Sequence, residues 1–316
     1  MIPGSAHFIW IGQDFPWLHW AAVASARHNG GFDRVVLHHT DDLSQAPWFA
    51  MLRELDGVEC LHLNAEAELE QAAGPKLIDR YRTLSAPAAR ANVLRVALLV
   101  NQGGVYLDLD TVTIQSLTGL REQCAFFCGE ERLAFPASLS RSRSPFAWGA
   151  AYLRTAARDL ARRSPAGVGW FAHIRHLYPT AANNAVLGAS AQHPFLRELC
   201  ARMLELPSNA SRRRYALGTA LLQHALAETS TNPRVHPPEV FYPLGPEISE
   251  HWFRLDTHAT LDDVLSPATR VVHWYASVRT RKAAPRVNPQ WVRRYEQRQL
   301  LSALLMRALG ENAGRA

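Results

Sequence analysis

The first sixty residues alternate compact apolar runs with amphipathic stretches. The apolar runs at 7–12, 34–38 and 58–63 predict three buried strands. The stretches between them, 17–26 and 47–55, carry the apolar spacing of helices. Short connections in a β-α-β-α-β order are typical of a parallel sheet with helices on its faces. We therefore predict an α/β fold with a mostly parallel central sheet flanked by helices.

A long apolar helix ending in two glycines is predicted next. It covers 86–102, with Ser85 as its N-cap and Gly103 as its stop. A short strand, 105–107, follows the glycines. Upstream, the Gly-Pro pair that begins at Gly74 should break the preceding helical segment in two.

Helical patterns predominate in the second half of the chain. Helices are predicted at 146–163, 193–206, 217–227 and 289–309, extended stretches at 111–114, 125–128 and 271–275, a strand or turn at 240–244, and loops at 138–145 and 164–169. Arginines at 154, 158, 162 and 163 are interpreted as a solvated helix face. We predict one domain, 1–316, with a helical elaboration in its second half and a basic amphipathic helix and tail at 289–316.

Composition narrows the class of protein. The 316 residues are 47% hydrophobic and 20% charged, as in ordinary globular proteins, with a formal net charge of +6. That excess suits phosphate-bearing ligands or an anionic surface, but aromatic–basic interleaving is missing, so we do not expect nucleic acid as a partner. The four scattered cysteines favour reduced thiols over a zinc site. Without a signal-peptide pattern or an apolar span, we expect a cytoplasmic protein.

Two carboxylates follow the strand at 105–107 directly. Asp108 and Asp110 are two residues apart, so in an extended chain they share one face, together with Tyr106. Two hard oxygen ligands are what a divalent cation carrying a diphosphate requires. Arg95 and Asn92, three residues apart, share a face of the preceding helix. The pattern predicts a metal-dependent enzyme that acts on a nucleotide-sugar.

The string from Arg95 through Gly-Gly-x-Tyr-x-Asp-x-Asp resembles a known signature. It is similar to the DXD motif of yeast-type initiating α-mannosyltransferases, bacterial capsular sugar transferases and the catalytic domains of clostridial glucosylating toxins. The resemblance implies a retaining glycosyltransferase with the GT-A fold, a nucleotide-binding α/β sandwich. Two positions depart from the family pattern: Asn92 replaces a usual Asp, and Val278 replaces a usual Trp.

The resemblance also implies a metal site for Mn²⁺ or Mg²⁺. Asp110 would bridge the cation and the donor diphosphate, and His273 or Ser277 would complete the ligand shell. Asp108 would hold the ribose or the donor sugar and reach the metal through water. The metal would neutralise the charge that develops on the leaving diphosphate.

Further residues are implied on the donor side. Trp10, beside Ile9 on the opening strand, would stack on the nucleotide base, and Asn184 would face the donor sugar. Arg95 would add a cationic fork, with Asn92 beside it. Tyr106 would hydrogen-bond the diphosphate, because it shares the face of the carboxylates. No residue can be named as a nucleophile.

The resulting prediction is transfer of a hexose or N-acetylhexosamine. A UDP-sugar is the favoured donor and GDP-mannose the alternative, with a glycan, a glycolipid such as a lipid-linked saccharide, or a protein as acceptor. The helix at 289–309 would either contact an anionic membrane at its inner face or dock on the domain. A secreted effector, a non-enzymatic binding protein with a basic surface, and a metal-dependent nucleotidyl- or phosphotransferase stay open as alternatives. The sequence has no phosphate-binding glycine loop ending in Lys-Ser/Thr, which argues against the last of these alternatives.

Overall fold

The computed structural model describes residues 1–136, 139, 142–207, 216–276 and 280–310. The chain forms two compact units. The first unit comprises Met1–Leu109, Ser116–Gly129 and Ala182–His236, and the second comprises Asp110–Gln115, Glu130–Ala181 and Pro237–Ala316. The chain therefore passes between the units several times, and the organisation as one domain stays a prediction.

Nine strands form two sheets in the described residues. The strands are β1 (Ser5–Trp10), β2 (Arg34–His39), β3 (Val58–His62), β4 (Gly104–Leu107), β5 (Thr111–Thr113), β6 (Phe126–Arg132), β7 (Thr180–Ala189), β8 (Arg234–His236) and β9 (Val271–His273). Seven of them form one sheet in the order β3-β2-β1-β4-β7-β6-β8. β1 pairs in parallel with β2 and β4, β2 with β3, and β6 with β8, whereas β4 and β7 are antiparallel. The predicted mostly parallel sheet is confirmed.

Helices flank this sheet and make up most of the rest of the described chain. They are α1 (Trp17–Asn29), α2 (Pro47–Arg53), α3 (Ala65–Ala73), α4 (Pro75–Arg82), α5 (Pro87–Gln102), α6 (Thr118–Gln123), α7 (Pro145–Arg163), α8 (Gly167–Ile174), α9 (Pro194–Glu205), α10 (Thr219–Glu228), α11 (Pro238–Phe241), α12 (Leu261–Val264), α13 (Pro289–Tyr295) and α14 (Leu300–Leu309). Short 3-10 turns lie at Arg175–Leu177, Ser249–Trp252 and Ala284–Arg286.

The core of the first unit forms around α5 and the middle of the sheet. Every residue of α5 from Val93 to Val100 is buried, Arg95 included. Phe8 of β1 and Leu37 of β2 are completely buried. Burying such a side chain stabilises a fold by roughly 1.5–3 kcal/mol, so this packing holds α5 rigidly against the strands. The rigid helix then fixes the position of its polar residues.

Several local predictions were wrong. Helix α5 begins after Ala86, which makes no side-chain cap, so Ser85 is not the N-cap. For the segment 240–244, predicted as a strand or turn, the strand is wrong: the segment contains the end of the short helix α11 and then a turn. Helix α8 begins inside the predicted loop 164–169, at Gly167. The break at Gly74 is confirmed, because α3 ends there and α4 follows.

The C-terminal segment folds as two helices, α13 and α14. The leucines of α14 that gave the predicted helix its apolar face are buried: Leu301, Leu304, Leu305 and Leu309. Of the two predicted alternatives, contact with a membrane and docking on the domain, the burial of these leucines favours docking, within the second unit. Among the described helices, none combines the length and the apolar character needed to cross a bilayer.

The arginines of α7 were predicted to be solvated, which is correct for Arg163 but wrong for Arg158 and Arg162. Within the second unit, Arg158 forms a 3.0 Å ion pair with Glu247, whose side chain is buried. One turn further on, Arg162 donates to Glu250 at 2.7 Å. Arg158 and Arg162 therefore point into the unit, where Glu247 and Glu250, more than eighty residues further along the chain, neutralise them.

Candidate active site

In the first unit, two predicted residues, Arg95 and Tyr106, meet around Asp108. Arg95 lies 2.8 Å from Asp108 Oδ1 and is only 4% exposed. The Tyr106 hydroxyl donates to the same carboxylate oxygen at 2.7 Å, and the Arg95 guanidinium lies 4.4 Å above the Tyr106 ring. The strand parity that placed Tyr106 beside Asp108 is thus correct. A carboxylate held by a cation and a phenol has a fixed orientation and retains its negative charge.

The backbone of Asp108 is also held. Its own N–H donates to the carbonyl of Ala185 in β7, the strand that pairs with β4. Arg95 donates to the neighbouring carbonyl of Asn184. Helix α5 and strand β7 therefore meet at this carboxylate, and Arg95 links them.

Asn92 and Asn184 form the next layer of the first unit. The Asn184 amide donates to Asn92 Oδ1 at 2.9 Å. A Cβ at Gly218 would lie 2.8 Å from Asn92 Nδ2 and 3.1 Å from Asn184 Nδ2. A side chain at Gly218 would therefore displace the amides, and the glycine leaves room for the pair. As an amide, Asn92 accepts this hydrogen bond without adding charge.

Trp10 stands at the carboxyl end of β1, half-buried, beside the fully packed Ile9. Its ring centroid lies 4.6 Å from that of His19 and 5.7 Å from that of Phe15, which meets it edge-on. His19 Nδ1 donates to the carbonyl of Leu109 at 3.0 Å. His19 was not among the predicted residues, since nothing in a helical histidine signals a partner ninety residues away.

In the second unit, Asp110 has a separate set of partners. His273 Nε2 lies 2.9 Å from Asp110 Oδ1, and the Ala276 N–H donates to Oδ2 at 2.7 Å. The pairing of β5 with β9 brings them together, because it aligns Thr111 with His273. The Trp274 N–H donates to the Asp110 carbonyl. Both oxygens of this carboxylate are thus oriented.

Tyr275 supports this arrangement and was missed from the sequence. Its φ of +60° is a conformation that residues with a Cβ rarely adopt, and it turns the chain before Ala276. Its ring lies 4.0 Å from that of His273, and its hydroxyl donates to Glu131 at 2.7 Å. Burial, followed by the charge of Glu131, raises the pKa of Tyr275 well above its usual value, so the phenol keeps its proton. Strained backbone of this kind clusters at functional sites.

The structure thus brings the predicted residues together in two sets. Arg95, Tyr106, Asp108, Asn92 and Asn184 lie together in the first unit, and Asp110 and His273 in the second. Asp108 and Asp110 are separated only by Leu109, so chain geometry alone limits their Cα separation to about 7 Å. Ser277 and Val278 lie outside the described residues. The roles assigned to all of these side chains stay predictions.

Comparison with known proteins finds a family that part of the chain matches. Residues 25–127 match the family described as "Glycosyltransferase sugar-binding region containing DXD motif". The matched region contains Asn92, Arg95, Tyr106, Asp108 and Asp110. Among curated proteins, no sequence matches this chain.

Solved structures of glycosyltransferases match this chain at low sequence identity. Mouse xyloside xylosyltransferase 1, in its apo form, is 14% identical, with 85% of this chain and 96% of that chain covered and a TM-score of 0.48. The PaToxG glycosyltransferase is also 14% identical, covering 72% and 69%, with a TM-score of 0.47. The galactosyltransferase LgtC is 12% identical, covering 85% and 86%, with a TM-score of 0.42.

The matched region covers about a third of the chain and contains the Asp-x-Asp motif, so this part of the chain is similar to the DXD-containing sugar-binding region of glycosyltransferases. The predicted mostly parallel α/β sheet is confirmed, while its GT-A type stays a prediction.

Proposed function

We propose that this chain transfers a hexose or N-acetylhexosamine from a nucleotide-sugar, with a UDP-sugar favoured, to a glycan, glycolipid or protein acceptor. The observation that carries the proposal is the division of partners between two neighbouring carboxylates. Asp108 is bound by Arg95 and Tyr106, whereas Asp110 is bound by His273 and a backbone N–H. Two carboxylates with such different partners are suited to different tasks.

The side chains of Asp108, Asp110 and His273 are of the types that would bind a divalent cation. Each of these side chains offers one ligand atom. Carboxylate oxygens are hard ligands that Mg²⁺ and Mn²⁺ both accept, while an imidazole nitrogen binds Mn²⁺ more readily than Mg²⁺. Mn²⁺ is therefore the better candidate. When bound, such a cation supplies Lewis-acid stabilisation of the leaving diphosphate.

The remaining residues would orient the donor. Arg95 and Tyr106 hold Asp108 in one orientation, so that it can accept hydrogen bonds from ribose or sugar hydroxyls. The amide pair of Asn92 and Asn184 offers neutral donors and acceptors for a sugar. The half-buried indole of Trp10 presents an apolar face for the base. Retention of anomeric configuration is the expected stereochemistry.

Donor hydrolysis tests the proposal directly. The protein is incubated with UDP-glucose, UDP-GlcNAc, UDP-galactose and GDP-mannose, with and without Mn²⁺ or Mg²⁺, and release of nucleoside diphosphate is followed. We expect metal-dependent release from at least one donor. Asp110→Asn should lower it about 100-fold or more, because the amide loses the charge that binds the cation.

Asp262→Asn is the matched control, since the Asp262 side chain is 94% exposed in the same unit. It should leave turnover unchanged. If no donor binds or turns over, and metal binding by Asp110→Asn equals that of the wild type, the proposal is wrong.

A further inference from the structure

Helix α7 turns its apolar face toward solvent. Phe146, Leu153 and Leu160 recur at intervals of seven residues, which places them within about 40° of one another around the helix. They are 90%, 74% and 63% exposed. A surface helix of a globular protein normally buries such a stripe.

Contacts within the second unit fix this orientation. Arg158 and Arg162, on the opposite face, pair with Glu247 and Glu250. The Tyr178 hydroxyl donates to the backbone carbonyl of Arg154. Partly buried charges that have found partners hold a helix against rotation, because turning them to solvent would leave the partner carboxylates unpaired. The exposed apolar stripe is therefore a built feature of the unit.

More exposed apolar side chains lie in the segment 135–177 around this helix. Of the exposed large hydrophobic residues in the described chain, seven of ten lie in this segment: Phe135, Phe146, Tyr152, Leu153, Leu160, Trp170 and Leu177. Phe135 meets Tyr152 edge-on at 5.6 Å. We call these seven side chains the apolar patch. Concentrations of this kind mark interaction sites.

The charge of the same segment is strongly positive. Residues 135–177 contain seven arginines and one aspartate, a formal net charge of +6, which equals that of the whole chain. The aspartate, Asp159, pairs with Arg158 and Arg162. Arg143 and Arg163 are exposed. The exposed charged side chains described in this segment, Arg143 and Arg163, are thus positive.

We propose that the apolar patch is a docking surface for an anionic lipid bilayer. An amphipathic helix lying in a membrane interface combines aliphatic and aromatic side chains with neighbouring arginines. Tyr152 and Trp170 are residues that favour the interface, and arginines are attracted to anionic headgroups. A second copy of the chain is a poorer occupant, since a symmetric contact would oppose two cationic segments.

Vesicle co-sedimentation of the full chain tests this surface. Binding is compared between phosphatidylcholine vesicles and vesicles that also contain phosphatidylglycerol. We expect binding to the anionic vesicles that weakens with added salt. Leu153→Glu should lower the partition constant about tenfold or more, and Arg163→Gln about fivefold at low salt.

Leu61→Glu is the matched control, because Leu61 is an exposed apolar residue of the first unit. It should bind anionic vesicles like the wild type. Far-UV circular dichroism confirms that each variant is folded, and donor hydrolysis without lipid should be unchanged in Leu153→Glu. Equal binding by wild type and Leu153→Glu would overturn the proposal. So would a dimer in light scattering that Leu153→Glu dissociates, with no binding to either vesicle.

Discussion

At the scale of single residues, Arg95 links three parts of the candidate site. It contacts Asp108, the carbonyl of Asn184 and the ring of Tyr106. A planar guanidinium can serve these partners together, whereas an ammonium is a point charge. Arg95 therefore acts on the donor site by holding Asp108 in place.

Arg95→Lys tests this role. The charge is kept and the fork is lost, so we expect the unfolding free energy to fall by about 1–3 kcal/mol. We also expect kcat for donor hydrolysis to fall about tenfold or more, because Asp108 loses its orientation. Urea denaturation and steady-state kinetics measure the two effects.

Arg34→Lys is the control, since Arg34 pairs with Glu59 at the surface of the first unit. An exposed pair contributes at most about 1 kcal/mol. Indistinguishable kinetics for Arg95→Lys and Arg34→Lys would show that Arg95 does not position the carboxylate.

Strand parity predicted only the local part of the candidate site. Tyr106 and Asp108 could be grouped because parity acts over two residues, whereas Asp110 lies in a turn beyond the strand. Asn184 and His273 were implied by the family resemblance alone.

His19 and Tyr275 could not be predicted, because their contacts depend on how distant segments pack. A sequence motif predicts only the local geometry of its own residues, whereas the side chains that support those residues come from distant parts of the chain.

At the scale of elements, the position that ends α5 requires a glycine. Gly103 has a φ of +66°, and a Cβ there would lie 2.6 Å from the backbone nitrogen of Ala191. Gly74 ends α3 with a similar φ of +77°, yet a Cβ there would meet nothing within 4 Å. The two positions share the backbone strain and differ in packing.

We expect Gly74→Ala to lower the unfolding free energy by about 1–3 kcal/mol, because its φ of +77° with a ψ of −175° is a conformation that is essentially restricted to glycine. Gly103→Ala should cost more than Gly74→Ala, because its φ of +66° and ψ of −162° are similar and backbone atoms must also move. Thermal or urea unfolding of both variants measures the difference. Equal losses would mean that the close approach at Gly103 relaxes without cost.

Helix α7 shows where element-level prediction fails. Its boundaries were predicted to within one residue, but its inward face was not. Arginines spaced by four and apolar residues spaced by seven both follow the helical period, so periodicity alone offers two orientations. Glu247 and Glu250, far along the chain, decide between them.

At the scale of the whole molecule, the predictable part of the fold is the part made of local, repeated units. The β-α-β-α-β start was predicted because each strand pairs with its neighbours in sequence. The sheet's second half was not, since β4 pairs with β7 across some eighty intervening residues. Contacts between strands so far apart in the sequence leave no periodic pattern of residues from which they could be predicted.

The stability of the whole chain should depend on pH through a buried histidine pair in the first unit. His7 Nδ1 and His38 Nε2, on adjacent strands, lie 3.1 Å apart. Burial, aided by nearby positive charge, lowers the pKa of His7 to about 4 and that of His38 to about 3. Both are therefore neutral in the folded protein at pH 5, whereas the unfolded chain has already bound protons near pH 6.5.

Because the folded pKa values lie below the unfolded one, the stabilisation is complete above about pH 6.5 and is lost as the pH falls toward 4. A shift of this size in one histidine corresponds to roughly 3 kcal/mol. We expect urea unfolding between pH 7 and 4 to show this loss, and His38→Leu to show a shallower dependence. His28→Gln, at an exposed position, should keep the wild-type profile. A His38→Leu profile as steep as the wild type would place the acid sensitivity in other groups.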